Sequence, residues 1–477
     1  ERNRAEAFAM STDTYLLEAL KTISPQTEPV DKMLYLDSAF FLPDHNLNYT
    51  DKTCMKYGVE ARVPLLDTEL VEFAAQIPTK YKQTLTCGKA IFKKAMEARG
   101  MKVYTHRATK GYPTDVDLIV SEQGYGANAY IETEKPVVVV TAPGPGSGKL
   151  ATCLSQMYHE YKRGVKAAYA KFETFPIWNL PLKHPVNMAY EAATAELKDV
   201  NMIDHFHLEA YDVKTVNYNR DIEAFPIVRR IIEKITNAPS VYKSPTDMGV
   251  NRAGFAIIDD EAVRKAAEQE VIRRYFRYAC EQARGLCTSD TVQRVELIMK
   301  DMGLTQTDRS TVLPAREAAD SARRRNKGNR GIYSGAAIEL PDGTIVTGHN
   351  SPLLHAASSV VLTAIKRLAG IPDDVDLLPG NILESLAKFK EDVLKSASVS
   401  LNLEETLIAF SIGATTNSIA SEALKKLKDL EGCEIHMTHV PSPGDAAGLR
   451  KLGFHITSDP EFATRALYTK GDFQCKA

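Results

Sequence analysis

The stretch Val137-Val138-Val139-Val140-Thr141-Ala142-Pro143-Gly144-Pro145-Gly146-Ser147-Gly148-Lys149-Leu150 governs how the chain is read. Its first half is an unbroken β-branched run. Neither face of such a strand carries a polar side chain for water, which is the pattern of a strand buried on both faces of a parallel sheet. The second half is glycine-rich and ends where helical spacing begins, so residues 150–163 read as a helix closed by Gly164 and 166–172 as the next strand. One βαβ unit is expected. A glycine-rich turn at a helix N-terminus lets backbone N–H groups approach phosphate oxygens, while the helix dipole and Lys149 add positive charge. The turn meets the G-x-x-x-x-G-K-[ST] pattern only in part, with Pro143 at the first glycine and Leu150 at the magnesium-binding hydroxyl; Thr152, one helical turn on, is the substitute. Gly144, Gly146, Ser147, Gly148, Lys149 and Thr152 are therefore the expected nucleotide- or phosphate-binding residues, with a tight packing turn as the alternative.

Magnesium-assisted phosphate chemistry needs an acidic residue near such a turn. Asp259, which ends the apolar run Phe255-Ala256-Ile257-Ile258, and Asp247, in Ser244-Pro245-Thr246-Asp247-Met248-Gly249, are the expected metal-holding and catalytic carboxylates. Each has a plainer reading, Asp259 as a helix N-cap and Asp247 as the closure of an Asx-turn. His205, His207 and Glu209 would share one face of a strand, as metal ligands could. Cys433, His436 and His439 lack the paired spacing of structural zinc sites. Thr415, Thr416 or Asn417 is expected to cap the helix that follows.

The chain has 477 residues, enough for roughly three domains. Lys plus Arg is 59 and Asp plus Glu is 61, a net charge of −2, which leaves no global field to hold nucleic acid or an anionic membrane. Hydrophobic content of 44% and charged content of 25% are those of ordinary globular chains, so disordered and fibrous classes drop out. Seven scattered cysteines with no C-x-x-C pair suit a reduced, cytoplasmic location, and no apolar run reaches the ~18 residues of a membrane span. A phosphorylated small molecule is the expected partner, with no nucleic acid and no membrane, and a homo-oligomer is allowed. Glu1 in place of Met reads as a chain that starts mid-protein.

Residues 1–100 are mostly helical in period, and Leu70, Phe73, Ala74 and Ile77 fall at the spacing of one buried helix face. Short strands are expected at 102–104 and 117–120, and helices at 226–235, 261–284, 356–368 and 419–430. Residues 308–331, rich in arginine and poor in apolar side chains, read as a linker. Two strands around Pro341-Asp342-Gly343 read as a hairpin. The expected architecture is α/β: a parallel-sheet, Rossmann-like or P-loop-like core at 101–307, a smaller C-terminal α/β domain at 332–477, and a helical segment at 1–100.

The strings Asp51-Lys52-Thr53-Cys54-Met55, Gly58-Val59-Glu60-Ala61-Arg62-Val63-Pro64-Leu65-Leu66-Asp67 and Gly88-Lys89 resemble the synthetase domain of glutamine-dependent asparagine synthetases. The resemblance implies ATP-dependent adenylation of aspartate followed by ammonia attack, with Glu60 as general base and Lys89 offsetting phosphate charge. The family's Ser-Gly-Gly-x-Asp-Ser pyrophosphate loop does not occur in the chain, so an inactive fragment is expected, with amidation as an alternative. From about Lys102 onward, Ala142 to Lys149, Thr174-Phe175-Pro176-Ile177-Trp178-Asn179, Tyr242 to Asn251 and Ala414-Thr415-Thr416-Asn417 resemble a second family, bacterial proteins known as domain of unknown function 1846. That resemblance implies a cytoplasmic α/β protein. The two meet near residues 96–101, where a fusion or chimera is expected. The enzyme reading is ATP-linked phosphoryl or adenylyl transfer with magnesium; a non-catalytic metabolite-binding or assembly protein is its rival.

Overall fold

The computed structural model describes residues 19–21, 23–39, 68–82, 90–141, 147–393, 395 and 398–463. Its contacts divide the chain into two units, 1–107 and 108–477.

The first unit holds α1 (Pro29–Leu36), α2 (Thr68–Gln76) and α3 (Ala90–Ala98). Pro29 suits the first helical position, where its missing N–H has no partner to lose. Asp31 accepts hydrogen bonds from Thr79 Oγ1 (2.7 Å) and Lys82 Nζ (3.0 Å), which ties α1 to the turn Thr79–Lys82. None of the described residues in this unit is buried. Leu70 and Phe73 do lie on one helix, α2, but they are exposed, so the face expected to be buried is not buried at these two positions.

The second unit carries, in order, α4 (Lys149–Lys162), β1 (Lys171–Phe172), α5 (Pro185–Ala193), β2 (Asn201–Ile203), α6 (His205–Tyr211), β3 (Val216–Tyr218), α7 (Asn219–Thr236), β4 (Gly249–Val250), α8 (Asp260–Ala283), α9 (Ser289–Asp301) and α10 (Val312–Arg324). There follow β5 (Gly335–Glu339), β6 (Ile345–His349), α11 (Ala356–Ala369), α12 (Gly380–Asp392), α13 (Leu403–Ala414), α14 (Ser418–Lys425), β7 (Glu434–Met437), α15 (Pro443–Lys451) and β8 (His455–Ser458). The α/β class stands, and among the described strands the parallel pairs are β1–β4 and β7–β8.

Three expectations about the elements fail. Residues 137–141 belong to no strand, and the four valines are 79%, 54%, 85% and 36% exposed; no strand among the described residues pairs with them. Residues 102–104 are irregular, and 117–119 fall instead in the helical turn Val116–Ile119, with Val120 as its C-cap, set by Asp115, whose carboxylate accepts the Leu118 N–H at 2.9 Å. Residues 308–331 are no linker. They contain α10, whose Ala315, Ala319 and Ala322 are buried where the helix packs on β5. The approach is so close that a Cβ on Gly335 would lie 2.1 Å from the Ala315 carbonyl oxygen.

Three cores result. α4 buries Leu154, Met157 and Tyr158 with Phe225, Val228, Ile231, Ile232 and Ile235 of α7, residues spaced three and four apart on one helix face. α5, α8 and α9 share a second core. The third lies under the sheet ordered β6-β5-β7-β8, in which β5 runs antiparallel to β6 and β7, and β7 parallel to β8.

Arg309, just before α10, is completely buried. Its guanidinium lies 2.5 Å from Glu434 of β7 and donates to Thr457 Oγ1 (2.9 Å) and the His455 carbonyl (2.7 Å) of β8, while Glu434 also takes Arg273 of α8 at 2.7 Å. Removing one partner of a buried pair strands the other's charge. Arg309→Ala is expected to cost about 3 kcal/mol, seen as a lower urea midpoint with unchanged slope. Beside it, burial pushes the Asp459 carboxyl up, but His436 and Arg316 outweigh that and hold it at about 2, against an ordinary 3.8. A depressed carboxyl adds stability above its unfolded value and loses it as pH falls through the folded one, so about 2 kcal/mol should vanish between about pH 4 and pH 2. Asp459→Asn should flatten that acid limb in urea titrations run across the same range.

Candidate functional site

Of the residues expected at the phosphate turn, Gly144 and Gly146 lie outside the described residues, as do Glu60 and Lys89. Ser147, Gly148, Lys149 and Thr152 are brought together at the start of α4. Gly148 is the N-cap, with φ of +89° and no side chain near its Cβ position, so the left-handed backbone rather than crowding calls for glycine there. Gly148 itself has no side chain with which to cap the helix. Lys149 Nζ donates to Ser147 Oγ at 3.2 Å, and the Thr152 N–H closes the first helical bond on the Gly148 carbonyl at 2.9 Å. The turn thus sets a lysine, a hydroxyl and the positive end of a 14-residue helix at one point.

Asp247 sits in the helical turn Thr246–Met248 and is engaged there. Its carboxylate accepts from Tyr211 Oη (2.8 Å) and the Lys243 N–H (2.8 Å), and His207 Nδ1 lies 3.8 Å away. The same His207 nitrogen is 2.8 Å from Ser244 Oγ, which accepts the Asp247 N–H at 3.0 Å. Serine, histidine and aspartate therefore converge, but on one imidazole nitrogen. A relay needs the acid on one nitrogen and the nucleophile on the other, so the arrangement ties α6 to the 243–248 turn instead. The fully buried Asp204 reinforces that tie by accepting from the His207 N–H and from Thr246 Oγ1. Asp247's hydrogen bond also raises the Tyr211 phenol above its usual value.

Asp259 is exposed and caps α8, accepting the Ala262 N–H at 3.0 Å. Its plainer reading is the geometry found. His205, His207 and Glu209 belong to helix α6 and not to a strand, so His207 falls on the opposite face from His205 and Glu209 and the three do not converge. His436 is buried with Nδ1 2.9 Å from Thr457 Oγ1, and Cys433 is a buried core thiol. Among the described residues, no group of three or more His, Cys, Asp or Glu side chains could hold a metal ion. Asn417 caps α14 through the Ile419 and Ala420 N–H groups, as its position before a helix implied.

Two features had no signal in the sequence. Lys171 of β1 pairs with Glu173 (2.8 Å) and Asp221 of α7, and Tyr218 Oη donates to Glu173 at 3.2 Å. Burial raises the Glu173 carboxyl, and Lys171 opposes it. Asp221 lies 50 positions from Lys171 and Tyr218 lies 45 from Glu173 along the chain. A groove of about 490 Å³, lined by Glu122, Tyr158, Lys162 and Lys234, opens at the far end of α4. At 1.5 Å per residue it is roughly 20 Å from the Lys149 turn, so it is a separate feature.

A UPF0371 protein of Clostridium botulinum (strain Alaska E43 / Type E3) and one of Clostridium tetani (strain Massachusetts / E88) are each 56% identical to this chain over 378 residues, which is 79% of the chain and 75% of the relative. Residues 66–303 match the model described as domain of unknown function DUF1846, N-terminal, and residues 307–468 match DUF1846, C-terminal. The chain belongs to this family. Residues 2–124 also match the asparagine synthase model, which overlaps the first DUF1846 match over 66–124. No helix among the described residues is long and apolar enough to cross a membrane. Within the DUF1846 region, Asp259→Ala should destabilise by about 1 kcal/mol through loss of the α8 cap and leave ligand binding unchanged, as parallel thermal-melt and titration experiments would register.

Proposed function

We propose that the DUF1846 region binds the phosphate of a small phosphorylated molecule, nucleotides included, at the turn formed by Ser147, Gly148 and Lys149. The observation that carries this reading is Gly148: a glycine held at φ +89° as the N-cap of a 14-residue helix, with Lys149 as its first residue. Backbone approach, dipole and side-chain charge then act on the same anion. Gly144 and Gly146 would complete the loop, and Thr152 would present its hydroxyl one turn into the helix.

The proposal assigns no metal and no group transfer. Asp259 is used by the Ala262 N–H and Asp247 by Tyr211 and Lys243, which favours binding over phosphoryl transfer. The similarity of residues 2–124 to asparagine synthase supports a sequence relationship for the first unit. The amidation chemistry it would imply depends on Glu60 and Lys89, and a fusion near residue 100 remains part of this proposal.

Calorimetric titration with ADP, ATP and inorganic pyrophosphate tests the reading. Binding that weakens at least about tenfold in Lys149→Ala, equivalent to about 1.4 kcal/mol, is the expected result. Gly148→Ala, which forces an L-residue into left-handed backbone at a cost of about 1–2 kcal/mol, should weaken it as well. Unchanged affinity in both variants, or no binding of any of the three, would reduce the turn to a packing element.

A further inference from the structure

β5 runs antiparallel to both β6 and β7, and β7 runs parallel to β8, so β6, β7 and β8 point the same way and their carboxyl ends share one edge of the sheet. In open α/β sheets that edge is where ligands sit. His355, the N-cap of α11, follows β6 there, and Asp445, in the first turn of α15, follows β7. His355 Nδ1 lies 2.7 Å from Asp445 Oδ2. The carboxylate is buried and is fixed from two further sides, by Ser442 Oγ at 2.6 Å and by the Leu403 N–H that opens α13 at 2.9 Å. A carboxylate only accepts, so Nδ1 carries the proton and the lone pair is left on Nε2. Nε2 has no partner among the described residues, and the imidazole is 30% exposed. Asp247 and Ser244 crowd one nitrogen of His207, whereas here the acid holds one nitrogen and the other opens to solvent, as a proton acceptor needs.

We propose that His355 is the general base of a hydrolytic site for a small carboxylic ester, with Asp445 as its positioning residue. No hydroxyl or thiol among the described residues bonds Nε2, so the nucleophile is water. Nε2 takes a proton from that water as its oxygen bonds to the ester carbonyl carbon. The tetrahedral oxyanion then collapses, the carbon–oxygen bond to the alcohol breaks, and the imidazolium returns the proton to the departing alkoxide. The N-termini of α11, α13 and α15 meet at the pair, and their positive ends favour the negative charge that develops. The surroundings also select a carboxylic ester over a phosphate ester. Among the described residues no lysine or arginine pairs with His355 or Asp445 to offset a phosphate's charge, whereas a carboxylic ester enters neutral and gains one charge in the transition state.

Steady-state hydrolysis of p-nitrophenyl acetate by the full chain tests this site apart from the phosphate turn. His355→Gln should lower kcat at least about a hundredfold and melt close to the parent. Asp445→Asn, whose amide can donate to Nδ1 and move the proton to Nε2, should lower kcat and leave KM unchanged. Free imidazole should restore turnover to His355→Ala, which a purely structural role would not allow. Mass spectrometry should find no acetyl group left on His355. Hydrolysis unchanged in His355→Gln, or absent from the parent chain, would overturn the assignment. So would acetylation of His355, which makes the imidazole the nucleophile, or turnover of p-nitrophenyl phosphate in preference to the acetate.

Discussion

A fully buried guanidinium sets the terms for the C-terminal half of the molecule. Arg309 cannot lie under a sheet unless its charge is met there, and Glu434 of β7 meets it, with backbone and hydroxyl acceptors on β8 taking further donors. Glu434 also reaches Arg273 of α8, so one carboxylate fixes three elements against one another. Arg316 and Asp459 repeat the device one turn into α10, at the carboxyl end of β8. The helical layer of α8 and α10 is therefore aligned with the sheet by charge, while the alanines of α10 and the bare backbone of Gly335 supply the contact itself.

What could be read from the chain in advance was whatever depends on near neighbours. The hairpin of β5 and β6 follows from Pro341-Asp342-Gly343, where Asp342 accepts the Thr344 N–H and Gly343 takes the left-handed backbone. The ends of α4, α8 and α11 fall within a residue of their expected positions, because glycines, caps and apolar spacing act locally. α10 was hidden because its buried face is Val312 and three alanines, which carry little hydrophobic signal, and charged residues fill the rest. The partnership of Asp247 with His207 and Tyr211, and that of Lys171 with Asp221, join positions dozens of residues apart, and spacing says nothing about such pairs.

The same distinction separates the two kinds of candidate site. The turn before α4 was visible because a phosphate cradle is a local object of backbone and dipole. The carboxylates expected to assist it were chosen by residue type alone, and both have structural employment: Asp259 completes a helix end and Asp247 closes a turn. Family membership adds relatives at 56% identity without adding an activity, so the physical case rests on Gly148 and Lys149.

The exposed valines also bear on how the protein behaves in a crowded solution. An uncharged β-branched run open to water is a template for cross-β stacking, in which identical segments from many molecules pair edge to edge. Here Pro136 and Pro143 stand at either end and leave six residues between them. Six residues is the short end of what a steric zipper uses, and proline lacks the N–H that would extend the ladder. The prolines that frame the run thereby act as gatekeepers, limiting how far any fibril could grow along the chain.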